Sequence, residues 1–232
     1  SHSEIWLSRC LNSIQNQTYE NWEALIIFNN VKNKYEYKKI INEFKNDNRF
    51  IFLNFNTIGI TPSLNYGLKK SRGEFIARID ADDYAINTRL EKQIMYLSND
   101  FIFSNVYYVD IYNKKIGKSS IPENYIFKFN YTNTIPHPSV LINKKVLLSV
   151  GGYDGIAVCQ DLRTWDKLIK NKCKFFLIND ALTYTTIKAD RITGSKESRY
   201  QAAKFYLYKL IRELNLLSLI GFIHNSIKYI YK

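Results

Sequence analysis

The sequence predicts an α/β fold, a mostly parallel sheet flanked by helices, with a C-terminal helical tail. Short, nearly uninterrupted apolar runs such as Glu23-Ala24-Leu25-Ile26-Ile27-Phe28 suit strands covered on both faces. Amphipathic stretches of helical period separate these runs one by one, the pattern of βαβ units. With 232 residues, 46% of them hydrophobic, the chain can bury one sizeable core. The expected division is one α/β domain over residues 1–196 and the helical tail over 197–232.

Leu7, Cys10, Leu11 and Ile14 recur at helical spacing, so residues 4–16 read as the first helix. A strand over 23–28 follows, and Tyr37, Ile40, Ile41 and Phe44 mark the second helix. Phe50 to Phe55 reads as a strand. Thr61-Pro62 offers an N-cap and a first-turn proline for a helix that runs to about Lys70 and closes at Gly73. Glu74 to Ile79 is the next strand, and Asn87 can cap a helix carrying Leu90, Ile94 and Leu97. The second half is less regular. Phe101 to Val109 and Val140 to Ile142 look like strands, with a turn at Asn113-Lys114-Lys115. Lys144 to Val150 is a short helix stopped by Gly151-Gly152. A helix follows with Leu162, Trp165 and Leu168 or Ile169 on one face. Lys174 to Ile178 and Leu182 to Ile187 read as two final strands. From Glu197 the chain is helical, with a break near 215–221.

The formal charge of +12 would attract nucleic acid, acidic lipid headgroups or polyanionic substrates. The lysines are spread rather than clustered, which reads equally well as composition. No RNP-like or other nucleic-acid motif accompanies them, so no nucleic-acid partner is expected. Cys10, Cys159 and Cys173 have neither disulfide nor metal spacing and read as free thiols of a reducing compartment. The three scattered histidines, His2, His137 and His224, form no metal pattern. No run of about 18 apolar residues suggests a spanning helix, and the polar opening carries no signal-peptide pattern.

Asp80-Ala81-Asp82-Asp83 follows directly on a predicted strand. Ligands of open α/β sheets gather at strand carboxyl ends. In an extended segment Asp80 and Asp82 would share a side. Two hard oxygen ligands suit Mg²⁺ or Mn²⁺, and such an ion is commonly shared with substrate phosphates. The alternative is an acidic turn before the helix near Asn87. Tyr84 and Ala85 exclude an EF-hand loop, and Tyr84 stands where a D-x-D-x-T/V phosphatase needs Thr or Val.

Several strings resemble the family 2 glycosyltransferases of the GT-A (Rossmann-like) fold. They are Gln17-Thr18-Tyr19, the stretch from Gly59 to Gly67, the stretch from Gly73 to Asp83, and Arg89 to Gln93. His137-Pro138-Ser139-Val140, Gly151-Gly152-Tyr153-Asp154 and Asp161-Leu162 with Trp165 continue the series in the family's order, over residues 4 to about 190.

The resemblance implies an inverting, metal-dependent enzyme that moves one sugar from a nucleotide sugar, a UDP-sugar by expectation, to a hydroxyl. Asp82 would ligate Mg²⁺ or Mn²⁺, with Asp80 sharing the metal or holding the ribose. Asp83 would support the loop or touch the donor sugar. Arg78 faces the diphosphate or is a solvated strand residue. Asp161 would be the base that takes the acceptor proton, or an N-cap of the Trp165 helix. The family's acidic pair reads Gln160-Asp161 here. Its Asp-Asp pair before Gly-Ser reads Asn29-Asn30-Val31, and Asn can still accept from uracil N3–H.

In the family a strand precedes the first helix; this sequence opens at Ser1, where that strand would just have ended, as expected of a truncated chain or one whose ordered part starts late. His137 reads as structural or acceptor-side, and Trp165 as core rather than a sugar platform. No Gln-x-x-Arg-Trp string occurs, which favours single-sugar addition over processive synthesis. The acceptor implied is a cell-surface glycan, lipid-linked or lipopolysaccharide-like. The expected location is cytoplasmic, either free or peripheral on the inner face of the plasma membrane. The tail from Phe205 to Lys232 mixes Leu, Ile, Phe and Tyr with basic residues, and either lies on an anionic membrane or packs on the domain or a second subunit.

The rival readings are a catalytically impaired GT-A remnant that binds rather than transfers, a nucleotidyltransferase, which lacks its Gly-rich phosphate loop here, and a basic nucleic-acid binder.

Overall fold

The computed structural model describes residues 2–29, 37–154, 159–188 and 195–230. In chain order the elements are α1 (His2–Gln15), β1 (Ala24–Asn29), α2 (Lys38–Phe44), β2 (Phe50–Phe55), α3 (Ile60–Lys70), β3 (Phe75–Ala77), β4 (Tyr84–Ala85), α4 (Arg89–Ile94), β5 (Phe101–Val109) and β6 (Lys115–Lys118). They continue with α5 (Tyr125–Phe129), a 3₁₀ turn (His137–Ser139), β7 (Leu141–Asn143), α6 (Lys144–Ser149), α7 (Gln160–Lys170), β8 (Phe175–Thr186), α8 (Lys196–Arg212) and α9 (Ser218–Ile230).

The helical periods read from sequence bury the faces they should. Leu7 and Leu11 of α1 meet Ile40 and Phe44 of α2 and Phe50 of β2 in one apolar cluster. Two caps differ from expectation. α3 begins one residue before Thr61, with Gly59 at its N-cap and Pro62 in its first turn. Thr88, not Asn87, precedes α4, and the Asn87 carbonyl instead accepts the Thr18 N–H at 2.9 Å. Asn143 caps α6, its side chain accepting the N–H groups of Lys145 and Val146.

The α/β class holds, but the sheet is mixed rather than mostly parallel. β1 and β2 form a parallel pair. The larger sheet runs β3-β7-β5-β8-β4, with β6 added on β5. Only β5 and β8 pair in parallel there, and the other four pairings are antiparallel. The connections explain this. A tight turn joins β5 to β6 and forces them antiparallel, whereas the long helical excursion through α5, α6 and α7 can return β8 parallel to β5. No strand pairing links the two sheets among the described residues.

A further correction concerns the end of the sheet. The two strands expected over 174–187 are one strand, β8. Its register against β5 jumps from Ser104↔Ile178 to Asn105↔Ala181, so Asn179 and Asp180 bulge out without breaking the strand. The Asn105 side chain donates to the Asn179 carbonyl at 3.0 Å and fills the gap in the ladder.

β5 is the centre of the core. Phe101, Ile102 and Phe103 are completely buried. Trp165 of α7 meets Phe101 edge to face at 4.7 Å, and Phe205 and Tyr206 of α8 join the same cluster. The tail is anchored by charge as well. Buried Lys209 donates to Asp166 Oδ1 at 2.7 Å, and Lys170 bridges Asp166 and Glu213 at 2.6 Å each. The Ser218 hydroxyl donates to the Asn130 carbonyl at 3.1 Å.

Candidate active site

β3 ends at Ala77, and the chain leaves the sheet for a tight turn. The N–H of Asp83 donates to the Asp80 carbonyl at 3.0 Å. Asp80 and Asp82 are therefore gathered by a turn, not by the two-residue period of a strand, which corrects the alternation argument. Each carboxylate has a different partner. Arg78 donates through Nη2 to Asp80 Oδ1 and through Nη1 to the Ile79 carbonyl. The Arg78 side chain is only 11% exposed, so it is not a solvated strand residue. Lys188 Nζ lies 2.5 Å from Asp82 Oδ2. The side chains of Asp80 and Asp82 stay about a third exposed, at 34% and 32%, and thus reachable from solvent.

Asp83 is committed elsewhere. It is buried and accepts the Thr186 N–H at 2.8 Å, which staples the turn to β8. Burial, with the charge of Asp80 adding, pushes its pKa up to about 8. The Asp82 carbonyl accepts from the Thr186 hydroxyl at 2.5 Å and from Arg9 Nη2 at 2.7 Å, so α1 and β8 grip the turn from two sides.

Asp161 is second in α7 and lies near enough to this turn to feel the charge of Asp80. Cys159 occupies the N-cap, so Asp161 is not the capping residue. Its carboxylate accepts from the Asn133 amide at 2.9 Å. Burial raises its pKa above the ordinary carboxylate value and the charge of Asp80 adds to the rise; hydrogen bonds from the Leu162 N–H and Asn133 oppose it. Tyr153 lies within reach of the charges of Arg78, Asp161 and Asp80, and burial pushes its phenol up to about 12. Its ring and that of His137 are 5.7 Å apart, and His137 is 5.7 Å from Trp165. Burial, then Arg78, lowers the His137 pKa well below its usual value, so this imidazole is neutral. His137 Nε2, Tyr153 Oη and Arg78 Nε are buried polar atoms with no hydrogen-bond partner among the described residues. Trp165 is wholly buried in the core.

Asn29 ends β1. Its amide nitrogen donates to the Gly59 carbonyl and to Ser63 Oγ, both at 2.7 Å, while its buried Oδ1 accepts nothing from the described residues. Asn30 lies outside the described residues.

The remaining sequence strings build the frame around these residues. Gln17 donates to the Ile86 carbonyl at 2.7 Å and accepts from the Leu90 N–H at 3.0 Å. Buried Arg89 donates to the Arg78 and Val140 carbonyls at 2.8 and 3.2 Å, and Gln93 to the Ser139 carbonyl at 2.8 Å. Asn65 clamps Tyr153 from both ends of its peptide unit, donating to the carbonyl at 2.9 Å and accepting from the N–H at 2.8 Å. Gly152 just before it has φ +74°, and a Cβ there would come within 2.5 Å of Asn65 Oδ1. Sequence reasoning missed Lys188, Arg9, Thr186 and Asn133. Each is an isolated polar residue whose role exists only once β8, α1 and the turn at 80–83 meet.

Among the described residues no group of three or more His, Cys, Asp or Glu side chains is arranged to hold a metal. Asp80 and Asp82 offer hard carboxylate oxygens from one partly exposed turn, ligands of the kind that Mg²⁺ or Mn²⁺ takes when substrate phosphates complete the coordination.

The profile described as Glycosyl transferase family 2 matches residues 3–150. The chain belongs to that family. This family 2 glycosyltransferase is 34% identical to an uncharacterized glycosyltransferase of Methanocaldococcus jannaschii over 90% of this chain and 74% of that one. It is 26% identical to the UDP-Glc:alpha-D-GlcNAc-diphosphoundecaprenol beta-1,3-glucosyltransferase WfgD of Escherichia coli, over 94% of this chain and 88% of the relative. Among solved structures, TarS residues 1–349 of S. aureus, in complex with UDP-GlcNAc, superposes with a TM-score of 0.74 at 16% identity, covering 98% of this chain and 70% of that one. The mannosyltransferase PcManGT of Pyrobaculum calidifontis, in complex with GDP-Man and Mn²⁺, gives a TM-score of 0.65 at 12% identity, over 96% and 65%. At these identities the structures establish the GT-A fold alone. The family establishes that the chain is a glycosyltransferase enzyme.

Proposed function

We propose that this enzyme transfers one sugar from a UDP-sugar to a hydroxyl of a cell-surface glycan or lipid-linked acceptor, with inversion at the anomeric carbon. The reading is carried by Asp80 and Asp82, gathered in one turn and partly exposed, with Asp161 close enough to feel the charge of Asp80 and raised in proton affinity by burial. Asp80 and Asp82 would hold Mg²⁺ or Mn²⁺, which when bound supplies Lewis-acid stabilisation of the leaving diphosphate. Arg78 keeps Asp80 oriented and adds positive charge where the diphosphate gains negative charge. The Asn29 oxygen at the end of β1, buried and without a partner among the described residues, is an acceptor of the kind that would pair with uracil N3–H. Asp161 takes the proton of the attacking hydroxyl. Attack with one base and no protein nucleophile gives inversion.

The acceptor class draws support from the relative named for a diphosphoundecaprenol-linked substrate. It also draws support from the surface of the tail. No helix of the described residues is long and apolar enough to cross a membrane. Leu216, at 78% exposure, and Ile220, Ile223 and Ile227 form an exposed apolar stripe along α9 and the link before it. Exposed Lys204, Arg212 and Lys228 accompany the stripe, a combination that suits the anionic inner face of a plasma membrane.

Calorimetry of UDP with and without Mn²⁺ tests the site. Binding should require Mn²⁺ and be lost in Asp82→Ala. Absence of any UDP binding with Mn²⁺ would overturn the reading in favour of an impaired remnant.

A further inference from the structure

The Asp82 carboxylate already has a cation of its own. Lys188 Nζ lies 2.5 Å from Asp82 Oδ2, and the same ammonium sits 3.9 Å over the Trp6 ring. Both side chains are partly buried, at 22% and 32% exposure, so the pair is less screened than a surface ion pair. Building on the metal-diphosphate reading above, we propose that Lys188 is a built-in counter-cation that competes with the divalent ion for Asp82 and transfers to the diphosphate when the nucleotide brings the ion in.

The other cations at the turn are fixed by several bonds. Arg78 holds both Asp80 and the Ile79 carbonyl. Arg9 divides its guanidinium among the Asp82 carbonyl, Thr186 Oγ1 at 2.9 Å and Asn113 Oδ1 at 3.1 Å. Lys188 differs in kind. It is a point charge on a flexible stem, its ammonium held among the described residues by one carboxylate and one ring face. A divalent ion ligated by Asp82 would share the carboxylate with the ammonium if Lys188 stayed, and the two positive charges would repel. Ligation of an ion by Asp82 would therefore require the Lys188 ammonium to leave the carboxylate. A diphosphate sharing that ion presents anionic oxygens beside Asp82, and these give the displaced ammonium a new partner. Ion and nucleotide then bind cooperatively, each weakly alone. By reciprocity, losing either one loosens the other.

Mn²⁺ titrations followed by electron paramagnetic resonance test this in the full chain, with and without saturating UDP. The wild type should bind Mn²⁺ weakly alone and at least about fivefold more tightly with UDP. Lys188→Gln should bind Mn²⁺ alone about fivefold more tightly than the wild type and lose most of the enhancement by UDP. Lys188→Met, which keeps the stem over Trp6, should behave like Lys188→Gln. Lys188→Arg should retain the coupling. If both neutral variants match the wild type in Mn²⁺ affinity and in enhancement, Lys188 is a structural partner only and the proposal falls alone. A wild type that binds neither Mn²⁺ nor UDP overturns the underlying site reading as well.

Discussion

Asp161 sits between opposing influences. Burial disfavours its charged form, while the Asn133 amide at 2.9 Å favours it. A base must be ionised to act, so a raised pKa means that activity falls as pH drops through a value above the ordinary carboxylate figure of about 3.9. The pH profile of kcat should show that acid limb. Asn133→Ala removes a donor to the charged form, so the limb should move to higher pH with the plateau little changed. An unmoved limb would show that Asn133 does not tune the base. Asp161→Asn should lower kcat about 10²- to 10⁴-fold while leaving Mn²⁺-dependent UDP binding in place. Loss of UDP binding in that variant would place Asp161 in the donor site instead.

The elements show which parts of this arrangement were legible in the sequence. Helices came through because Leu7, Cys10 and Leu11, or Leu162, Trp165 and Leu168, bury one face at a fixed period. The merging of the last two predicted strands was not legible. Asn179-Asp180 has turn chemistry locally, and only pairing with β5, aided by the Asn105 side chain, carries the strand through as a bulge. Likewise the aspartates were visible as a string, but their grouping comes from the turn at 80–83 and from Thr186 on a distant strand. The strings around them prove to be a frame. Arg89 and Gln93 support the backbones of Arg78 and Ser139, and Asn65 supports Tyr153. Asn65→Ala leaves the Tyr153 N–H and carbonyl without their side-chain partner and should cost about 1–3 kcal/mol in chemical denaturation. A loss below a few tenths of a kcal/mol would mean that water replaces both bonds.

At the scale of the whole molecule, the helical tail has two faces with different duties. One face carries Phe205, Tyr206 and Lys209 into the core and onto Asp166 of α7. The other presents Leu216, Ile220, Ile223 and Ile227 outward. Replacing Ile220, Ile223 and Ile227 together by Ser should abolish sedimentation with phosphatidylglycerol vesicles while leaving turnover on a soluble acceptor near the wild-type level. Retained vesicle binding would show that the stripe meets something other than lipid. Lys209→Ala strands a buried carboxylate that keeps only Lys170, and should cost about 3 kcal/mol, measured by urea unfolding. The helix gripped in this way is the same one whose first turn carries Asp161. Anyone trimming the chain after β8 to obtain a more tractable fragment would therefore remove the back support of the helix that presents the base. The greasy end of the molecule is not a detachable handle, and a shortened version would have to be rebuilt around Asp166 before it could work.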